Sequence, residues 1–406
     1  MRITKLKIQN IGVFEDQEIE FKEKTIPEKA EIHIFTGENG TGKSTILYVL
    51  ASLFDINLIS SRFHKTKKPY FEIDFGDNSR LFPFKQDGEL LLSNSFIINC
   101  YRLNIIAFFA YAGYRNVGNH TISAIQELAE NPLEGVLNFN REIPTQILLQ
   151  WIANSKTKEA LAAQKNNLPR AEKYRKSIER IEFAISEITG KSIKFIFEDE
   201  PIMQVLVQVN DVELSFNTLP DGLKSILSWV SDLLMRLDRT PWATDEDVFD
   251  RNFILFLDEI EVHLHPAWQR KILPVIQKLF KNAQIFISTH SPFVVGSVDG
   301  AWVYKLGLEN GNAKVLEITE SSVGDSLSLI LEEVFDIKTQ FAAPSIEKEF
   351  NEFYVLREEL LHKNFANETL FLDNAKLLAL HSIEIQNIVG REIRQLNRVL
   401  QKNYAL

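Results

Sequence analysis

Residues Phe35 to Leu47 read FTGENGTGKSTIL, with Gly37, Gly42, Lys43 and Ser44 in register with the pattern G-x-x-x-x-G-K-[ST]. Glycines at those places let a loop curl until its backbone N–H groups converge on phosphate oxygens. Lys43 adds a point charge, and the Ser44 hydroxyl can ligate Mg²⁺. The nucleotide is therefore expected against Gly37, Glu38, Asn39, Gly40, Thr41, Gly42, Lys43, Ser44 and Thr45. A second set lies in NFILFLDEIEVHLHPAWQ, where the apolar run Phe253 to Leu257 ends on two acids. Asp258 at the strand end can hold the Mg²⁺ shell, and Glu259 beside it can orient a water. A third stretch, QIFISTHSP, ends a buried run on Thr289 and His290. The His290 imidazole is placed to donate to the γ-phosphate or its product. Together these groups suit hydrolysis of ATP with Mg²⁺.

Each group needs an element to aim it. The run Ile32 to Phe35 predicts a strand feeding the loop, and a helix from near Lys43 to about Phe54 adds its positive N-terminal dipole. Residues 2–9 and 17–21 read as strands of a hairpin or meander. YFEIDFG, SRLFPF, SFIINC and NIIAFFAY read as short strands of a β-rich lobe. From Ile122 to about Gly190 the spacing turns helical, which predicts an inserted helical lobe over about 122–190. IKFIFED and VLVQVNDVELSF follow as strands. LPDGLKSILSWVSDLLMRL predicts an amphipathic helix from near Gly222, PAWQRKILPVIQKLF another helix, and AWVYKLGLENGNAKVLEIT a hairpin. The expected class is α/β, a mixed β-sheet with flanking helices over 1–340, followed by a helical region over 341–406.

The 406 residues carry 45 basic and 55 acidic side chains, a formal charge of −10, so any nucleic-acid contact needs a local basic surface. One cysteine, Cys100, excludes an intramolecular disulfide and fits the reducing cytoplasm. The opening MRITKLKIQNIG alternates like a strand and lacks the apolar core of an export signal, and no run has the length of a membrane span.

The order P-loop, LPDGL helix start, LFLDEIEVHLHP and STHSP resembles the ABC-class ATPase heads related to RecF, SMC/Rad50 and the OLD proteins. LPDGLKSILSWVSDLLMRLDRTPW combined with DEIEVHLHP is most similar to the PtuA ATPases of Septu defence systems, some of which accompany retrons. This resemblance covers about Met1 to Thr319. It implies ATP sandwiched between two protomers, with Lys43 and Ser44 on phosphate and Mg²⁺, Asp258 on the Mg²⁺ shell, Glu259 as general base and His290 as switch. Asp221 and Gly222 would serve the facing protomer's phosphate. Where the ABC signature has a phosphate-binding serine this chain has Pro220, which lacks both hydroxyl and N–H, so slow turnover is expected. The implied function is an ATP-binding, slowly hydrolysing regulatory subunit of an anti-phage complex. It would form a homodimer or higher homo-oligomer and control an HNH nuclease subunit of the PtuB type. A retron reverse transcriptase with its RNA/DNA is a further implied partner. The alternative is a stand-alone RecF/SMC-like clamp in DNA repair.

Three features stay outside the ATP site. The basic loop SRFHKTKKP, residues 61–69, suits DNA phosphates, or is a solvated face, and the helix RAEKYRKSIER poses the same choice. His263 and His265, close in sequence to Glu261, have the spacing of two metal ligands, but Pro266 follows and no third ligand is evident nearby. The terminal helical region is either a cap on the head or a docking segment for the nuclease. At about 65 residues it is too short for a fused TOPRIM nuclease.

Overall fold

The computed structural model describes residues 1–76, 80–86, 89–93, 95–113, 122, 124–143, 145–335, 343–363 and 365–405. The chain divides into two compact units, Met1–Phe335 and Asp336–Leu406. The boundary expected at 340/341 lies outside the described residues.

A six-stranded sheet organises the first unit, in the order Asn312–Glu320, Trp302–Glu309, Glu31–Gly37, Gln284–Ser288, Phe253–Leu257, Ala107–Tyr111. The last five run parallel, and the first pairs antiparallel with Trp302–Glu309. AFFAY, FILFL and QIFIS are buried at every position, as strands covered on both faces must be. Parallel strands put all their carboxyl ends on one edge, the edge where open α/β sheets bind ligands. The glycine loop, Asp258 and His290 all follow strands that end there.

Two further sheets complete this unit. One is five-stranded and antiparallel, ordered Phe14–Glu20, Lys5–Ile11, Tyr70–Asp74, Arg80–Gln86, Glu89–Ser93. The other joins Ile193–Glu198, Gln204–Val209 and Val212–Ser215, so VLVQVNDVELSF is a hairpin turning at Asn210 and not one strand. A second difference is SFIINC, which forms the helix Ser95–Arg102. An apolar run that short does not distinguish a buried strand from a helix by its periodicity. The helical insert also begins later than its spacing suggests. The described residues of 122–143 form turns around Pro132, Gly135 and Asn138, and the helices are Thr145–Gln164 and Leu168–Thr189.

At the opposite edge of the central sheet a buried polar network ties the N-terminus down. Arg2 donates to Glu31 through Nη2 at 2.7 Å, His33 Nε2 lies 2.8 Å from the same carboxylate, and Gln284 bonds both Glu31 and the Ile3 backbone. Burial alone would raise the Glu31 carboxyl, but the bonds from His33 and Arg2 outweigh it and hold the group at about 2. Because that lies below the ordinary 4.5, its stabilisation is complete above pH 4.5 and is lost as pH falls toward 2. The loss is on the order of 3 kcal/mol. Acid unfolding followed by circular dichroism should accordingly be shallower across this window in Glu31→Gln than in the parent.

The second unit is a bundle of the helices Pro344–Leu361, Glu368–Ala379 and Ile383–Leu400 around its own core. Phe353 stacks on Phe371 with centroids 5.1 Å apart, and Leu378, Val389 and Leu396 close the interior. Tyr354 is exposed, since a residue next to the buried Phe353 points about 100° away around the helix.

Candidate nucleotide site

The strand Glu31–Gly37 runs into the loop and then into the helix Lys43–Ala51, whose N-cap is Gly42. Gly42 sits at φ 95°, and a Cβ there would come within 2.5 Å of the Phe14 ring, so both the turn and the packing beneath it require glycine. Lys43 is buried and its ammonium donates to the carbonyls of Gly37 at 2.9 Å and Glu38 at 2.7 Å. That places the charge over the mouth of the loop. Burial pulls its pKa down, against the opposing pull of Asp258, Glu259 and Glu261. Thr41 Oγ1 closes the loop by donating to the Glu38 carbonyl at 2.8 Å.

Ser44, the second residue of the helix, has its hydroxyl 3.0 Å from Asp258 Oδ1. Ser288, at the end of the neighbouring strand, donates to the same oxygen, and its own hydroxyl accepts the Glu259 N–H at 2.8 Å. A hydroxyl and a carboxylate oxygen side by side at the phosphate loop form the hard-oxygen pair that Mg²⁺ takes from a protein, the rest of its shell coming from water and phosphate. The donor set of Ser44 and Asp258 therefore fits Mg²⁺. Glu259 is exposed, at φ 46°. A left-handed glutamate costs on the order of 1 kcal/mol, and such residues concentrate at functional sites.

His290 follows the adjacent strand and is exposed. Burial of part of its ring and the nearby Lys43 lower its pKa, partly opposed by Asp258, so the imidazole is mostly neutral at pH 7. Glu261 holds this corner, a role not evident from its place in the sequence. It accepts from Thr289 Oγ1 at 2.7 Å and from the His290 N–H at 2.5 Å. Burial raises its pKa, and these two bonds work against that. The strand-end position of Ser288, two residues before His290, was the available signal for the other missed residue.

Asp221 opens the helix Asp221–Arg239, and Pro220 is its N-cap without a capping side chain. The helix thus starts one residue before Gly222. A Cβ on Gly222 would come within 2.6 Å of the His263 carbonyl, so this helix start packs on the turn that follows Glu259. His265 caps the next helix, its Nδ1 accepting from the Ala267 N–H at 3.2 Å, which occupies the lone pair a metal would need. In the basic loop, Arg62 faces inward, donating to Thr45 Oγ1 at 2.9 Å with its guanidinium 4.2 Å from the Tyr48 ring centroid. Lys67 pairs with Glu15 at 2.7 Å.

Two family models match the chain. One, described as an AAA ATPase domain, covers residues 1–132, and an AAA domain model described with the AbiEii toxin of a type IV TA system covers residues 144–296. Septu protein PtuA of Bacillus thuringiensis is 22% identical over 98% of this chain and 99% of its own length. Septu protein PtuA of Bacillus mycoides is 24% identical over 87% of this chain and 47% of its own length. The protein named Retron Ec83 probable ATPase, from Escherichia coli, is 33% identical over 33% of this chain, a stretch that spans 24% of that relative. A solved SMC head bound to the C-winged helix domain of ScpA overlays at a TM-score of 0.48 with 15% identity, covering 80% of this chain and 99% of that one. At that overlap the order of strands, and not the overlay, carries the fold assignment. With a P-loop at the sheet edge, AAA ATPase models matching 1–132 and 144–296, and an end-to-end match to one Septu protein, the chain is similar to the PtuA ATPases and, over shorter stretches, to retron-associated ATPases.

Proposed function

We propose that this protein is an ATP-binding and slowly hydrolysing regulatory subunit of a bacterial anti-phage complex, closing as a dimer around ATP and governing an HNH nuclease of the PtuB type. One observation carries the hydrolytic part. Ser44 and Asp258, 214 residues apart in sequence, meet at 3.0 Å with Lys43, Glu259 and His290 around them. Lys43 and the loop amides bind the phosphates, and Ser44 and Asp258 hold Mg²⁺, which supplies charge neutralisation at the phosphoryl oxygens. Glu259 orients the attacking water and accepts its proton, while the imidazole of His290 donates toward the γ-phosphate.

Slow turnover follows from the segment offered to the facing protomer. Pro220 contributes neither hydroxyl nor N–H, leaving the helix N-terminus at Asp221 and Gly222 and the half-buried Lys224 to meet the phosphate. The defence role rests on the Septu and retron relatives, and nuclease docking is assigned to the terminal bundle. Leu377, Leu380 and Ile383, at the link between its second and third helices, are 61%, 82% and 77% exposed. Changing all three to Glu should abolish co-purification with an HNH nuclease of the PtuB type while leaving ATP turnover intact. Equal recovery of the nuclease by parent and triple variant would remove the bundle from the interface.

A further inference from the structure

The mechanism leaves unused a buried ionic cluster beneath the acids. Asp232, fully buried three turns along the helix Asp221–Arg239, accepts at Oδ2 from Tyr111 Oη at 2.9 Å, Arg236 Nε at 2.8 Å and Arg141 Nη2 at 3.3 Å. Burying so many charges is costly, and packing alone does not call for it. Tyr111 ends the edge strand, paired in register with Leu257, and its carbonyl accepts the Asp258 N–H at 2.9 Å. Two residues on, a Cβ at Gly113 would lie 2.7 Å from Glu259 Cβ. The stretch 111–113 thus touches the backbone of both acids on one side and, through the Tyr111 hydroxyl, the helix offered to the facing protomer on the other. Burial drives the Tyr111 phenol well above its ordinary pKa, so the hydroxyl remains a donor.

We propose that the Tyr111–Asp232 hydrogen bond is a positioning link that fixes Asp258 and Glu259 relative to the helix Asp221–Arg239, so that seating of that helix against a second copy of this chain sets the acids for hydrolysis. The link rests on the hydrolytic reading of the site given above. Tyr111 and Asp232 are both buried, and they act through the backbone of the strand end. A cluster meant only for stability would be served equally by all three donors to Asp232, whereas a positioning link needs the one donor that belongs to the strand.

Tyr111→Phe isolates that donor. It keeps the ring beside Trp229, 5.9 Å away between centroids, and leaves Asp232 compensated by two guanidinium groups. In full-length protein, steady-state ATP hydrolysis is expected to show kcat lowered about fivefold with KM unchanged, the scale of one hydrogen bond. Arg141→Gln, which removes another donor to the same oxygen, should lower the melting temperature without changing kcat. Equal kcat in Tyr111→Phe and parent would overturn the link, as would a matching fall in kcat for Arg141→Gln. Glu259→Gln measured alongside separates the two levels of argument. If Glu259→Gln hydrolyses ATP like the parent, the hydrolytic reading fails; if it is inactive while Tyr111→Phe is normal, only the link fails.

Discussion

Glu259→Gln is expected to reduce ATP turnover by roughly 10²–10⁴-fold, the range for loss of a positioned general base, while ATP stays bound. The substitution keeps size and shape, so the backbone N–H bond to Ser288 Oγ and the close approach to Gly113 survive. What disappears is an exposed carboxylate able to take a proton from water. The Ser44 and Asp258 oxygens and the Lys43 charge are untouched, so nucleotide affinity has no reason to fall. Phosphate release and the nucleotide retained after desalting check both halves. Unchanged release would exclude Glu259 as the base.

Lys43→Ala should act earlier, on binding. The ammonium is buried above the loop, and a hydrogen bond from a charged donor to phosphate is typically worth about 1.5–3 kcal/mol, so ATP affinity is expected to fall on the order of 100-fold. Stability should change little. The lost bonds to the carbonyls of Gly37 and Glu38 are offset by removal of the burial cost that already lowers the lysine pKa. Titration calorimetry with Mg-ATP and a thermal melt without nucleotide test the pair of expectations. Affinity equal to the parent would place the nucleotide elsewhere.

Which parts of this arrangement were legible in the sequence follows from the range of the interactions. The glycine loop, the apolar strand ending at Asp258 and the strand ending before His290 are local patterns, each encoded within about ten residues. Their convergence needs only that parallel strands share an edge. The part Glu261 plays was not legible because its partners, Thr289 and His290, lie 28 and 29 residues away, just past the end of another strand. Tyr111 and Asp232 are further apart still, 121 residues, and although Asp232 lies in the LPDGLKSILSWVSDLLMRL segment, nothing local in the sequence pairs it with Tyr111. SFIINC was misread for a different reason, since six mostly apolar residues satisfy either period. The basic loop shows how charge counting misleads: its run of cations looked free, yet Arg62 is turned onto Thr45 and Tyr48 of the nucleotide helix.

The central claim is that one site is built from two copies, the glycine loop of one and the start of the helix Asp221–Arg239 of the other. Complementation tests it directly. Lys43→Ala spoils the loop and Lys224→Glu puts a repelling charge at the helix start, so each variant alone should hydrolyse ATP poorly. Mixed, they can form a pair in which one of the two sites has an intact loop facing an intact helix. The account predicts ATP turnover in the mixture well above the sum of the separate variants. Turnover no greater than that sum, with light scattering showing that the two variants do associate, would contradict it.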